Sequence, residues 1–221
     1  MIRLIQLDQE PIEKQLAQEK QLMEQSTSNW CLINTGSIPT IVMGISGKEE
    51  ELIDKTHLTN HPIPLIRRFS GGGTVVVDEN TLFVTFIFQK EAHPFPAYPE
   101  PIMRWGATFY EKAFDLPHFG LRENDYVIGD KKCGGNAQYI RKTCWLLHTS
   151  FLWDFTEHNM RYLLHPKKTP QYRAGRAHTE FLCRLKDHFP SKEECIARIT
   201  RTLQSTPLAI YDRCGQDCKT L

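Results

Sequence analysis

The 221-residue chain contains no apolar run long enough to cross a bilayer as a helix. Its opening, MIRLIQLDQEPIEKQ, lacks the apolar core and small-residue cleavage site of a secretory leader. An excess of one charge is also missing. Lys and Arg number 27 against 26 Asp and Glu, a formal net charge of +1, which argues against a dedicated nucleic-acid binder, although local basic patches remain open. The seven cysteines leave one over and form no regular framework, which suits a reducing cytoplasm. Cys214 and Cys218 lie four apart without a second pair, so they do not make a zinc site. Internal repeats, low-complexity tracts and an interdomain linker are absent too.

What remains is an ordinary globular composition, 40% hydrophobic and 24% charged, long enough for one large domain or two small ones. Ile2 to Leu7 reads as a strand, and Pro11 to Met23 as an amphipathic helix opening at its proline. Trp30 to Asn34 and Thr40 to Met43 are β-rich runs joined by Thr-Gly-Ser, which suggests a hairpin. Glu49 to Asn60 is a polar helix-forming stretch; its His57 and His61 are four apart but lack a third ligand, so they read as surface histidines. Thr81 to Phe88 is so continuously apolar that it predicts a strand buried on both faces. Past the proline-rich loop from Ala92 to Pro101 comes an aromatic helix, Ile102 to Phe114, and then short β-like runs alternating with turns from Phe119 to Phe155. Asn159 to Leu164 and Ser191 to Leu203 read as helices, the latter with a capping box made by Ser191 and Glu194. One α+β domain over residues 1–221, with a mixed, mainly antiparallel sheet flanked by helices, accounts for this order.

Two stretches carry chemistry. The first is Arg67-Arg68-Phe69-Ser70-Gly71-Gly72-Gly73-Thr74-Val75-Val76-Val77-Asp78, where the apolar run Ile63 to Ile66 leads through two arginines, a serine and three glycines into a β-branched run. Three glycines cost backbone entropy, so they point to positive φ or to a backbone or ligand lying close. Strand amides beside two guanidinium groups would seat a phosphate or carboxylate. A hairpin turn with two solvated arginines is the plainer alternative. The second stretch is Asn124-Asp125-Tyr126-Val127, followed by Gly129-Asp130-Lys131-Lys132-Cys133-Gly134-Gly135-Asn136-Ala137-Gln138. Alone, Gly-Asp-Lys-Lys is a charged turn.

Together these stretches resemble the lipoate–protein ligase A family of the biotin/lipoate ligase and octanoyltransferase superfamily. RRFSGGG matches its Arg-Arg-x-Ser-Gly-Gly-Gly segment, Asn124-Asp125 its Asn-Asp pair, and Lys132-Cys-Gly-Gly-Asn-Ala the slot of its active-site lysine. Lys131 falls one place early, on the strand side facing away. His148-Thr149-Ser150 is similar to the family's His-containing strand. The resemblance covers roughly residues 10–185.

It implies a biotin/lipoate ligase-type catalytic domain, without the C-terminal accessory domain of larger members. It also implies a ligase that activates lipoate or octanoate with ATP and Mg2+, then transfers the acyl group to a lysine of lipoyl domains. The implied partners are 2-oxoacid dehydrogenase E2 subunits, the glycine cleavage H protein and possibly a separate accessory protein, with no nucleic acid or membrane. Lys132 is the implied catalytic residue. Arg68, Ser70, Gly71, Gly72, Gly73, Thr74, Val75, Val76, Asn124, Asp125, Lys132 and His148 are the implied binders of ATP and lipoyl-adenylate; a metal site is left open. Carboxylate attack on the α-phosphate builds negative charge on phosphoryl oxygens, where a flexible lysine and fixed arginines are most useful.

Val77-Asp78 departs from the His-Asp found in many members. Tyr172 to Leu185 stands where the family has an adenylate-binding loop, with Arg173 or Arg176 as candidates beside a plain solvated basic loop. Three rivals remain. A thioester-forming acyltransferase would carry its cysteine just before Asn124-Asp125, where Leu121-Arg122-Glu123 stands, and Cys133 and Cys144 read more simply as buried residues. A biotin–protein ligase would carry an Arg-Gly-Arg-x-Arg-Gly-type loop. A non-catalytic module would bind the adenylate or the acyl domain without turnover.

Overall fold

The computed structural model describes residues 1–164 and 170–206. Seven strands form the large sheet: β1 (Ile2–Leu7), β2 (Asn29–Asn34), β6 (Thr81–Gln89), β7 (Phe119–Arg122), β8 (Asp125–Ile128), β9 (Lys131–Ile140) and β10 (Cys144–Leu152). Their order is β1-β2-β6-β10-β9-β8-β7, antiparallel except for the parallel β1–β2 pair. A smaller sheet runs β4 (Leu65–Arg67), β3 (Thr40–Met43), β5 (Val75–Val77).

The central strands show why both faces are covered. Every residue of β6 from Thr81 to Phe88 is buried, as its unbroken apolar run requires. Leu82, Val84, Phe86 and Phe88 join the largest core cluster, with Ile102, Phe109, Tyr110 and Phe114 of helix α4 (Pro99–Phe114) and Cys195 and Ile199 of helix α7 (Lys192–Gln204). Pro99 opens α4 where an amide would have no partner, and the Ser191 hydroxyl caps α7 by accepting from the Glu194 amide at 3.2 Å. Facing the other way, Phe83 packs with Ile12 and Leu16 of helix α1 (Ile12–Gln25) and with Val42 and Val77 of the small sheet. Ile87 packs with Met23 and Leu146. The functional residues gather on this second face.

Several local expectations are corrected. Trp30 to Asn34 and Thr40 to Met43 do not form a hairpin: β2 is filled on both edges by β1 and β6, and β3 by β4 and β5. The runs flanking the three glycines are strands, but they pair on opposite edges of β3, parallel and antiparallel, not with each other. The stretch from Glu49 to Asn60 breaks into α2 (Glu49–Leu52) and α3 (Lys55–Asn60), because Ile53 bridges Leu163 between them. That bridge also takes Leu163 out of the helix expected over Asn159 to Leu164, which shrinks to α5 (Glu157–Met160). Between Pro170 and Leu185 the chain makes short turns and α6 (His178–Phe181).

Candidate active site

A cavity of about 1100 Å³ opens between the glycine segment, α1, β9, β10 and the 170–182 segment. Arg68, Gly71, Gly72, Gly73, Thr74, Val75, Val76, Asn124, Asp125, Lys132 and His148 all line it; Ser70 sits behind them, fully buried. Ile12, Leu16, Val42 and Phe83 make an apolar wall.

The three glycines have different reasons to be there. Gly72 has φ +99°, and a Cβ there would lie 2.8 Å from the Arg68 guanidinium. A Cβ at Gly71 or Gly73 would meet nothing within 4 Å, so their bare backbone faces open space.

Arg68 is buried, and its guanidinium is turned into the protein. Nε donates to Ser70 Oγ at 3.0 Å, and Nη2 to the carbonyls of Gly71 at 2.7 Å and Gly73 at 2.8 Å. Burial lowers its pKa to about 10. Arg68 is thus a brace for the loop. Arg67 holds the loop's other side, donating to the carbonyls of Gly44, Ile45 and Gly47.

A hydrogen-bonded chain continues inward from Ser70. Its Oγ lies 2.7 Å from His148 Nε2, and His148 Nδ1 lies 3.1 Å from Glu19 Oε2. Glu19 is wholly buried in α1; its other oxygen accepts from Thr85 Oγ1 at 2.7 Å and Gln15 Nε2 at 2.8 Å. In the tautomer whose Nδ1–H faces the Glu19 carboxylate, His148 Nε2 accepts a hydrogen bond from the Ser70 hydroxyl, while Ser70 Oγ accepts from Arg68 Nε. Glu19, Gln15 and Thr85 were not picked out by the sequence reading. The available signal was that Gln15 and Glu19 share the stripe of Ile12, Leu16 and Met23 on α1.

Across the cavity, Lys132 Nζ lies 2.8 Å from Asp125 Oδ1, and Tyr172 OH donates to Asp125 Oδ2 at 2.9 Å. Burial first, then the Asp125 charge, pushes the Tyr172 phenol well above its ordinary pKa, keeping it a donor. Lys131 is exposed and outside the cavity lining, as strand alternation predicts, and Gly129-Asp130 makes the turn between β8 and β9. Asn136 donates to the Asn124 carbonyl at 3.2 Å and accepts from Thr149 Oγ1 at 2.8 Å, tying the Asn-Asp segment to β9 and β10.

The two arginine candidates separate. Arg173 is buried and lines the cavity, whereas Arg176 ion-pairs with Asp130 at 2.7 Å on the β8–β9 turn. In the departing Val77-Asp78 pair, Val77 is core and Asp78 accepts from Asn159 Nδ2 at 2.6 Å. Cys133 and Cys144 are buried and their thiols are pushed up by burial; among the described residues no cysteine lines the cavity. His57 and His61 gain a neighbour the sequence did not reveal, His158, with ring centroids 4.9–5.1 Å apart. Even so, among the described residues no group of three side chains could hold a metal ion. Cys214 and Cys218 lie outside the described residues.

The sheet order and the helices on its faces define the catalytic fold of the biotin/lipoate ligases. A structure from an archaeal lipoylation system, that of a bipartite lipoate protein ligase and its E2 lipoyl domain from Thermoplasma acidophilum, superimposes with a TM-score of 0.77 at 20% identity, covering 92% of this chain and 82% of that one. A lipoate-protein ligase A bound with ATP gives a TM-score of 0.72 at 17% identity, covering 92% of this chain and 83% of that one. The family model for the lipoyl protein ligase A/B catalytic domain matches residues 11–204, and the chain belongs to that family. Among curated relatives, it is 31% identical over 203 residues to the inactive lipoate–protein ligase 2 of Plasmodium falciparum, covering 74% of this chain and 51% of the relative. It is 28% identical over 119 residues to lipoate-protein ligase LplJ of Bacillus subtilis, covering 52% and 34%. The chain thus spans about half or less of these relatives' length. Among the described residues, no helix is long and apolar enough to cross a membrane.

Proposed function

We propose that this chain is the catalytic part of a lipoate–protein ligase. It activates lipoate or octanoate with ATP, supplied with Mg2+ as the substrate complex, and passes the acyl group from the adenylate to a lysine of a lipoyl domain. The observation that carries this reading is the placement of Lys132 and the bare glycine backbone around a cavity whose other wall is apolar. An aliphatic acid would lie along Ile12, Leu16, Val42 and Phe83, with its carboxylate toward Lys132. Gly71 and Gly73 leave room for the nucleotide.

Lys132 would stabilise negative charge on the α-phosphate and carboxylate as they meet, and again on the acyl oxygen during transfer. Asp125 and Tyr172 would hold the ammonium in place, which lowers the reorganisation needed at reaction. Arg173 would add a second cation at the cavity edge. The absence of cysteine from the described lining favours this route over a thioester.

Lipoyl domains of E2 subunits and the glycine cleavage H protein are the proposed acceptors, and a separate accessory protein a proposed partner for activation. The E2 lipoyl domain named with the Thermoplasma ligase supports the E2 acceptor, and that ligase's bipartite make-up supports a separate partner. The proposed location is the cytoplasm.

A second reading has one observation in its favour: the Plasmodium relative is named inactive. In that reading the same cavity would bind adenylate or acyl domain without turnover. Incubation with ATP, magnesium and lipoate, with and without a lipoyl domain, separates them. Lipoyl-AMP and acylated acceptor support the ligase; ligand binding with neither product supports the module.

A further inference from the structure

We propose that Cys133 and Cys183 form a reversible dithiol–disulfide site on the back of the strand that carries Lys132. The segment after α6 runs parallel to β9, with Lys132 bridged to Leu182 and the Cys183 amide donating to the Lys132 carbonyl at 2.9 Å. One residue further along, Cys133 and Cys183 are therefore neighbours across the bridge. The spacing of paired strands, about 5 Å, lies within the range a disulfide spans.

Alternation puts both thiols on one side. Lys132 and Leu182 line the cavity, which turns Cys133 and Cys183 to the opposite face. There Cys133 belongs to the main core cluster and Cys183 packs against the same cluster. Cys183 Sγ also lies 3.5 Å from the Lys131 carbonyl.

Their environments divide the labour of oxidation. Cys133 is fully buried, and its thiol is pushed well up by burial. Cys183 is half-buried, and its thiol is lowered, chiefly by the hydrogen bond from Cys133. A partly exposed thiol of lowered pKa beside a second cysteine is the arrangement that peroxide oxidises to a disulfide.

With hydrogen peroxide as oxidant, the Cys183 thiolate attacks one oxygen and the O–O bond breaks. Cys183 becomes a sulfenic acid, and the departing hydroxide takes a proton to leave as water. The Cys133 sulfur then attacks the sulfenic sulfur; the S–S bond forms, the S–O bond breaks, and a second water leaves with the Cys133 proton. Two thiols and one peroxide give one disulfide and two waters, and a dithiol reductant reverses the step.

The crosslink would fasten the wall formed by Phe181 and Leu182 to the strand bearing Lys132. Its formation is independent of the ligase reading; any effect on turnover rests on that reading.

The test treats the folded full-length protein with hydrogen peroxide, blocks free thiols with N-ethylmaleimide and maps peptides. A Cys133–Cys183 crosslink that dithiothreitol removes is the expected result, with circular dichroism unchanged and slower amide exchange at Leu182 and Cys183. Cys183→Ser, at the accessible position, should abolish the crosslink and leave Cys133 fully alkylated after unfolding. Both thiols remaining free, Cys183 passing to sulfinic acid while Cys133 stays reduced, or Cys183 pairing with another cysteine would each overturn the proposal. Assaying lipoyl-AMP formation in the reduced and oxidised protein keeps the two readings apart. A crosslink with no adenylate in either state would contradict activation by this chain alone and leave the redox site standing.

Discussion

The ammonium of Lys132 lies 2.8 Å from the carboxylate of Asp125, across the β8–β9 pair. Tyr172 donates to the second oxygen of that carboxylate from the segment closing over the cavity. Strand and covering segment thus meet at one charged pair. Asp125→Asn should therefore lower turnover by leaving the ammonium less well held, while affinity for the acceptor domain stays the same. Steady-state kinetics with varied acceptor checks this: kcat falls and the acceptor KM does not move.

Arg68→Ala should weaken nucleotide binding and also lower the melting temperature. The side chain braces two carbonyls and the Ser70 hydroxyl of the loop, and hydrogen bonds to charged groups contribute about 1.5–3 kcal/mol each. Gly72→Val should do the same through its positive φ and the close guanidinium. Calorimetry with ATP alongside a thermal melt decides it. An unchanged melting temperature with lost affinity would mean that Arg68 only touches ligand.

Much of this was legible because it is local. Arg68, Ser70 and the three glycines are a continuous stretch, and Lys132 follows Asp125 within one hairpin; the resemblance to the ligase family suggested a common site for them, and strand alternation set Lys132 apart from Lys131. The direction of Arg68 was not legible. The carbonyls it binds belong to its own loop, whose path depends on Gly72 folding back and on Gly44, where a Cβ would lie 2.1 Å from the Gly72 carbonyl oxygen. Glu19 and Thr85 were hidden for a different reason. They come from α1 and β6 and matter only once those elements pack against His148. Strand pairing failed where neighbours in sequence, such as β2 and β3, found partners far along the chain.

Glu19 and His148 should behave as one unit. Glu19→Gln and His148→Ala should each reduce adenylate affinity through Ser70, and the double variant should be less impaired than the sum. Contacting residues in one network show coupling of about 0.5–3 kcal/mol. A double-mutant cycle on adenylate binding that adds within error would break the proposed chain from α1 to the glycine loop.

His93 sets an acid limit on stability. It is buried among Phe88, Phe95, Trp105 and Trp145 with Nε2 unpartnered, and burial lowers its pKa from 6.5 to about 4. Between those values the unfolded chain takes up a proton that the folded one refuses. The contribution is therefore fully present above pH 6.5 and is lost as the pH falls toward 4, by up to about 3 kcal/mol. His93→Phe should flatten that part of the stability curve, as read by urea unfolding across the window.

The most direct measurement compares Lys132→Ala with Lys131→Ala in a single lipoylation assay with ATP, lipoate and a lipoyl domain. Both should fold, since neither side chain belongs to a core cluster. Removing one group that stabilises transition-state charge costs about 10²–10³ in rate, so Lys132→Ala should lose that much and Lys131→Ala far less. Equal activities in the two variants, or a hydroxylamine-sensitive acyl adduct on the protein formed without ATP, would contradict the account.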